Sequence, residues 1–133
     1  MDRILIVETD DILAELVREW LEDEGFLPVR GTVSDGVYVR SAGAAPAAIV
    51  FDLAVPPEGW PGLVASLLAA HPGIPLIATS AQVPFDADGS FGVAARLNVH
   101  DVIAKPMRRE RLIDAVHALL RGPAPPGAAS GRA

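Results

Sequence analysis

Polar residues that could act together in phosphoryl chemistry stand at the ends of four apolar runs of this 133-residue chain. They are Glu8, Thr9, Asp10, Asp52, Ser80 and Lys105. Carboxylates that lie close together repel one another and therefore recruit a hard cation such as Mg²⁺. One carboxylate can then act as a nucleophile and form an acyl phosphate, while a lysine and a hydroxyl hold the transferred oxygens. These residue types indicate phosphoryl transfer if the fold brings them to one place.

Buried β-strands are predicted immediately before each of these polar groups. The four strong apolar runs are residues 4–7, 47–52, 74–79 and 101–104. Runs of this length that are bounded by turn residues are typical of strands covered on both faces. A weaker strand is expected over residues 26–33, where Pro28 lacks the amide that a central strand must donate. We therefore expect this weaker strand at an edge of the sheet.

Helices are predicted between the strands, at about residues 11–24, 34–42, 61–70, 91–97 and 108–121. The first has a helically spaced apolar stripe that includes Ile12 and Leu16, and Gly25 is a natural C-terminal stop. Asp10 or Asp11 can cap its N-terminus. The second helix is expected to be short, and residues 82–92 are the least regular part of the domain.

The order of these elements predicts an α/β fold in which strand and helix alternate five times. Short connections and right-handed crossovers favour a doubly wound, five-stranded parallel sheet with helices on both faces. The edge position of the second strand gives the flavodoxin-like strand order 2-1-3-4-5. We expect this domain to cover residues 1–121 and a disordered tail, rich in Pro, Gly and Ala, to cover residues 122–133.

The composition argues against several functional classes. Hydrophobic residues make up 50% of the sequence and charged residues 21%, as in a globular domain with a core. The net charge of -6 argues against a nucleic-acid surface, and the absence of cysteine excludes disulfides and thiolate metal sites. The N-terminus lacks the pattern of a signal peptide, and no apolar segment has the length of a membrane span. We therefore expect a cytoplasmic protein without membrane contact.

Four segments of the chain together resemble the receiver domains of response regulators in two-component signalling. They are residues 4–10, 52–56, 74–81 and 101–106, and the resemblance covers about residues 3 to 120. The resemblance implies that Asp52 is the phospho-accepting aspartate and that Ser80 is the switch hydroxyl. It also implies that Lys105 binds the phosphate and that a cis peptide joins this lysine to Pro106.

The resemblance also implies a Mg²⁺ site, from which this sequence departs. The implied ligands are Glu8, Asp52 and the backbone oxygen of Ala54, with Asp10 as a further candidate. The family carries two adjacent acids after the first strand, whereas here the second position is Thr9. Because a neutral hydroxyl is a poor replacement for a carboxylate on Mg²⁺, we expect the metal affinity to be weak or absent.

Two further departures from the family pattern concern Val102 and the loop over residues 56–62. Val102 stands where the family carries a switch aromatic residue, so the usual ring movement has no counterpart. The loop over residues 56–62 is about two residues longer than usual and lacks the common Asp-Gly pair. The sequence leaves open whether Trp60 in this loop packs inward or makes an exposed contact.

The main prediction is a stand-alone, atypical receiver domain that receives a phosphoryl group on Asp52 in a phosphorelay and acts through protein–protein contacts. Its donor would be a histidine kinase or phosphotransfer protein, and it would have no catalytic activity beyond self-phosphorylation and dephosphorylation. The alternative is a pseudo-receiver that binds partners without phosphorylation. A third hypothesis, a flavodoxin-like nucleotide or flavin binder, needs a glycine-rich phosphate loop that the first strand lacks. The downstream partner is not predicted, and a homodimer is left open.

Overall fold

The computed structural model describes residues 2–35, 37–39, 43, 45–81 and 97–121. Its strands are β1 (Arg3–Val7), β2 (Leu27–Arg30), β3 (Thr32–Ser34), β4 (Val37–Val39), β5 (Ala48–Asp52), β6 (Leu76–Ser80) and β7 (Asp101–Ala104). Its helices are α1 (Asp11–Asp23), α2 (Trp60–Ala70) and α3 (Arg109–Leu120), and a 3-10 turn (Pro57–Gly59) precedes α2. None of the helices in these ranges is long and apolar enough to cross a membrane.

Five strands form one parallel sheet in the order β2-β1-β5-β6-β7. This order confirms the predicted doubly wound topology, in which the chain starts in the middle of the sheet and winds outward in both directions. β2 lies at the edge, and Pro28 pairs in register with Ile4 of β1. The amides of Leu27 and Gly31 donate to carbonyls on the β1 side, so position 28 faces outward by the alternation along a strand. The missing amide of Pro28 therefore costs no ladder hydrogen bond.

Helices cover both faces of the sheet, as predicted, because successive side chains of each strand point to opposite faces. Ile4 and Ile6 of β1 are buried in one cluster with residues of α1 and α3. Leu5 and Val7 are buried in the other cluster with residues of α2 and the β3–β4 segment. Each of these side chains contributes about 1.5–3 kcal/mol when it leaves water, so the two layers fix the positions of the strand ends.

The second helix, predicted over residues 34–42, is wrong in its described part, because β3 and β4 form a β-hairpin instead. β3 and β4 are antiparallel, with Thr32 opposite Val39 and Ser34 opposite Val37. Asp35 in the turn has a φ of 53°, a conformation that aspartate tolerates better than most residues. β-branched residues on either side of an Asp-Gly pair are a hairpin signal, and here this signal outweighs the helix-capping signal of Ser34.

The predicted strand over residues 26–33 is interrupted at Gly31, where β2 ends and β3 begins. A Cβ at this position would lie 2.9 Å from the ring of Tyr38 and 3.1 Å from Leu5. A methyl group at this position would therefore displace the Tyr38 ring or Leu5 from its place in the core beside β1. The hairpin is tied to α2 as well, since the Tyr38 amide donates a 2.9 Å hydrogen bond to Ser66 Oγ.

The first helix begins and ends as predicted, but part of its apolar stripe is not buried. Asp10 caps it, and Gly25 follows its end with a φ of 89°. Ile12 is 83% exposed and Leu16 is 40% exposed, because only the adjacent side of α1 packs on the sheet. The predicted irregular stretch 82–92, the helix near 91–97 apart from Leu97, and the tail 122–133 lie outside the described residues.

Candidate functional site

The structure brings the predicted polar residues together at the C-terminal edge of the sheet. Glu8 follows β1, Asp52 ends β5, Ser80 ends β6 and Lys105 follows β7. The strand register makes them neighbours, because Asp52 is opposite Thr79 and Ser80 is opposite Ala104. This clustering follows from the parallel order of the strands, whose carboxyl ends meet at one edge.

Lys105 joins the two carboxylates of the site. Its Nζ lies 3.0 Å from Glu8 Oε1 and 2.9 Å from Asp52 Oδ1. The side chains are 17%, 5% and 10% exposed for Lys105, Glu8 and Asp52, so water screens these ion pairs much less than surface pairs. Burial disfavours the charged amine, but the hydrogen bonds to Asp52 and Glu8 outweigh it and raise the pKa of Lys105.

Glu8 is buried, and its environment shifts its proton affinity. Burial raises the pKa of the Glu8 carboxyl, and the nearby Asp52 charge acts in the same direction. Hydrogen bonds from the Asp10 amide at 3.1 Å and from Lys105 oppose this shift without cancelling it. The site therefore holds two carboxylates and one ammonium, and one of the carboxylates is less acidic than usual.

The two oxygens of the Asp52 carboxylate have different partners. The Thr9 hydroxyl lies 3.5 Å from Asp52 Oδ2, at the limit of a hydrogen bond, while Lys105 holds Oδ1. A long hydroxyl contact withdraws little electron density compared with a charge-assisted one. Oδ2 is therefore the oxygen of Asp52 that is better able to act as a nucleophile.

The site offers Mg²⁺ two carboxylate ligands, Glu8 and Asp52. Glu8 and Asp52 offer two adjacent carboxylates, and Mg²⁺ is often held by one or two carboxylates plus phosphate oxygens and water. Asp10 is engaged elsewhere, since its Oδ1 accepts the amides of Ile12 and Leu13 at 2.9 and 3.1 Å. Ala54, the predicted backbone ligand, is exposed just beyond β5. No group of three or more acidic or histidine side chains suited to a metal occurs in the described ranges.

The remaining predicted residues also lie at or beside the edge. Ser80 is fully buried at the end of β6, and its carbonyl accepts the amide of Lys105 at 2.9 Å. The peptide between Lys105 and Pro106 is cis, as predicted. Val102 is 1% exposed and belongs to the core cluster that packs against α2. It is therefore a core residue and has no surface ring.

Two features were missed or left undecided by sequence reasoning. Trp60 packs inward at the start of α2, and its Nε1 donates a 3.0 Å hydrogen bond to the Val55 carbonyl. Arg30 was not predicted to be part of the site. Its Nη2 lies 2.6 Å from the Glu8 carbonyl oxygen and 2.9 Å from Asp11 Oδ1. The one sequence signal for the contact between Arg30 and Glu8 is that Arg30 is a cation near the end of the predicted edge strand.

Comparison with known proteins gives one curated relative. No family model matches the chain. The transcriptional regulatory protein CssR from Bacillus subtilis (strain 168) is 30% identical over 118 residues, which are 89% of this chain and 51% of CssR. The chain thus spans about half the length of the curated relative that it matches.

Solved structures give stronger matches of fold. A CheY-like response regulator receiver domain protein from Methanospirillum hungatei JF-1 matches with a TM-score of 0.69 at 19% identity, covering 91% of this chain and 94% of that chain. A response regulator from Thermotoga maritima matches with a TM-score of 0.69 at 17% identity, covering 92% and 99%. NtrX from Brucella abortus also has a TM-score of 0.69, at 26% identity, with coverage of 90% and 26%.

Proposed function

From the premise that the chain is a response-regulator receiver domain, we propose that it accepts a phosphoryl group on Asp52 and signals through protein–protein contacts. The observation that carries this proposal is the largely buried ion pair between Lys105 Nζ and Asp52 Oδ1, at 2.9 Å. Receiver domains are in general signalling modules. We propose no catalysis for this chain beyond self-phosphorylation and dephosphorylation, and we propose that it works in the cytoplasm with a histidine kinase or phosphotransfer protein.

The phosphoryl transfer assigns a role to each group at the edge of the sheet. Asp52 Oδ2 attacks the phosphorus of a phosphohistidine, the P–N bond breaks, and the imidazole leaves with its bonding pair and takes up a proton. The product is an acyl phosphate on Asp52. In this proposal the Lys105 ammonium and the hydroxyl of Ser80, at the end of β6, hold its new oxygens by charge and hydrogen bonds. Mg²⁺, when bound by Glu8 and Asp52, would neutralise part of the phosphoryl charge.

We propose that this site binds Mg²⁺ weakly because Thr9 supplies no charge. Two carboxylates remain, and the Lys105 ammonium already lies within 3.0 Å of both. A divalent cation must compete with this ammonium, so its affinity falls. Thr9→Asp places a carboxylate directly after Glu8, as in the adjacent acid pair of the family, and should tighten Mg²⁺ binding at least tenfold, an effect of about 1.4 kcal/mol. Amide shifts in a Mg²⁺ titration measure it.

Acetyl phosphate in the presence of Mg²⁺ tests the phosphorylation itself. Intact-mass spectrometry should show the addition of one phosphoryl group to the wild-type protein and none to Asp52→Asn. Asp23→Asn is a matched control, since it removes the same charge from an exposed acid at the opposite end of α1 from the site. A protein that gains no mass, or that gains it equally in Asp52→Asn, would contradict the proposal.

One observation favours the alternative, a receiver that binds partners without phosphorylation. Val102 is packed in the core at the position where the family carries its switch aromatic residue, so no ring can report a phosphoryl group. In that case beryllofluoride with Mg²⁺ should leave partner binding unchanged. Partner binding that responds to beryllofluoride, and does not respond in Asp52→Asn, would exclude this alternative.

A further inference from the structure

Arg30 is a cation beside the site, and the phosphoryl chemistry described above assigns it no role. It ends the edge strand β2, and its guanidinium reaches across to the loop that joins β1 to α1. Nη2 lies 2.6 Å from the carbonyl oxygen of Glu8 and 2.9 Å from Asp11 Oδ1. We propose that Arg30 is a positioning residue of the Asp52 site, and that it shifts the site's preference from divalent cations toward phosphoryl-type anions. This inference rests on the proposed function.

The first argument is geometric, because Arg30 completes the anchoring of Glu8. The Glu8 carboxylate is held by Lys105 at 3.0 Å and by the Asp10 amide at 3.1 Å. Arg30 holds the backbone of the same residue, so both ends of Glu8 are fixed. Thr9 is the next residue, and the approach of its hydroxyl to Asp52 depends on this backbone position.

The second argument is electrostatic. Residues 8–11 carry three carboxylates, and Arg30 places a permanent positive charge against the backbone of the first of them. The carboxylate and the carbonyl of one residue lie well within the Debye length of about 8 Å, so solvent ions do not screen this charge fully. The guanidinium therefore repels a divalent cation at Glu8 and Asp52 and attracts an anion there. Arg30 is 43% exposed, so water weakens the effect of its charge on the site. We therefore expect the loss of this charge to change the affinities for Mg²⁺ and for beryllofluoride by about three- to tenfold each.

These two arguments make a prediction that a purely structural role does not make. If Arg30 only stabilised the loop, its removal would loosen the site and weaken the binding of every ligand. If it also acts through its charge, Arg30→Gln tightens Mg²⁺ binding and weakens beryllofluoride binding at saturating Mg²⁺. The opposite signs of the two changes identify the electrostatic part.

The experiment compares Arg30→Gln with Arg30→Lys and with Arg18→Gln. Arg18 lines the same small cavity as Arg30 but pairs with Glu15 and Glu22 of α1, so this control loses the same charge near Arg30 and outside the β1–α1 loop. Amide shifts in Mg²⁺ and beryllofluoride titrations give the affinities, and a Thr9→Asp background keeps Mg²⁺ binding measurable. Arg30→Gln should bind Mg²⁺ about three- to tenfold more tightly, Arg30→Lys should stay near the wild type, and Arg18→Gln should change less than twofold.

Two outcomes would overturn the inference: Mg²⁺ and beryllofluoride affinities that fall together in Arg30→Gln, or equal shifts in Arg30→Gln and Arg18→Gln. The failure of the proposed function looks different, because then neither the wild type nor any variant takes beryllofluoride. The Mg²⁺ titration does not depend on phosphorylation, so it judges the role of Arg30 in that case as well.

Discussion

Lys105→Met is the most informative single change, because in the described part of the site Lys105 is the one cation that pairs with both the buried Glu8 and the largely buried Asp52. Methionine keeps most of the apolar stem but leaves Glu8 and Asp52 facing each other without the ammonium that lay 3.0 and 2.9 Å away. Removal of one partner from a buried ion pair costs about 3–5 kcal/mol. Since Lys105 itself is 17% exposed, we expect a loss near the lower end, about 3 kcal/mol, at pH 8.

The loss should depend on pH in a direction set by Glu8. The pKa of Glu8 is already raised above its usual 4.5 by burial, so its protonated form favours the folded state. The corresponding stability is present below the unfolded pKa and is lost as the pH rises through the folded pKa. Without Lys105 the folded pKa of Glu8 rises further, so lowering the pH neutralises the uncompensated carboxylate more readily. We therefore expect Lys105→Met to be less destabilising at pH 5 than at pH 8.

Urea unfolding at both pH values, followed by the fluorescence of Trp20 and Trp60, measures these free energies. The double variant Lys105→Met/Glu8→Gln is the control, because it removes the charge that the single variant leaves buried. Its stability at pH 8 should exceed that of Lys105→Met, with little dependence on pH. A single variant that loses the same free energy at pH 5 and pH 8, or a double variant that is no more stable, would refute the electrostatic reasoning.

Four further changes test the elements that support the site, each by the shift of the urea midpoint. Gly31→Ala should destabilise the fold by about 1–3 kcal/mol, because the new methyl group meets the Tyr38 ring. Gly62→Ala is the control: its methyl group would have no neighbouring atom within 4 Å, and position 62 is an exposed helical one. It should stabilise the fold by about 0.5–1 kcal/mol. Equal effects would show that the close approach at Gly31 is not real. Asp10→Ala should cost about 1 kcal/mol through the lost cap of α1, and an unchanged midpoint would contradict that cap. Trp60→Phe should cost about 1 kcal/mol through the lost bond to the Val55 carbonyl, and a gain in stability would contradict an inward-packed indole.

The sheet could be predicted because its signals are local and its topology rules are strict. Four apolar runs gave four buried strands, and Pro28 alone assigned the fifth to an edge. Once the strands are parallel, their carboxyl ends must lie along one edge, so the proximity of Glu8, Asp52 and Lys105 follows without any knowledge of side-chain contacts. Their actual pairing through one ammonium depends on side-chain positions and could not be read from the sequence.

The hairpin at residues 32–39 could not be predicted with the same certainty, because short segments carry conflicting signals. Ser34 is a good helix cap, and the residues after it are too few to establish a helical period. What decides the outcome is a long-range contact, the packing of the Tyr38 ring into the space left by Gly31 beside Leu5. The contact of Arg30 with Glu8 is of the same kind, since it joins residues 22 positions apart through the pairing of β1 with β2.

Thr9, which replaces an acid of the family pattern, changes the charge balance around Asp52 as well as the Mg²⁺ ligands. With Thr9 in place of an acid, the buried carboxylates Glu8 and Asp52 face one ammonium, so the inner site carries a single excess negative charge. Arg30 offsets part of the remaining acidity of the β1–α1 loop from outside. A site with fewer carboxylates needs less divalent cation to hold its shape, and the fixed cations supply part of the charge that the metal would provide. On this reasoning Thr9→Asp and Arg30→Gln change the site in the same direction, toward stronger dependence on Mg²⁺, and the double variant should bind Mg²⁺ more tightly than either single variant.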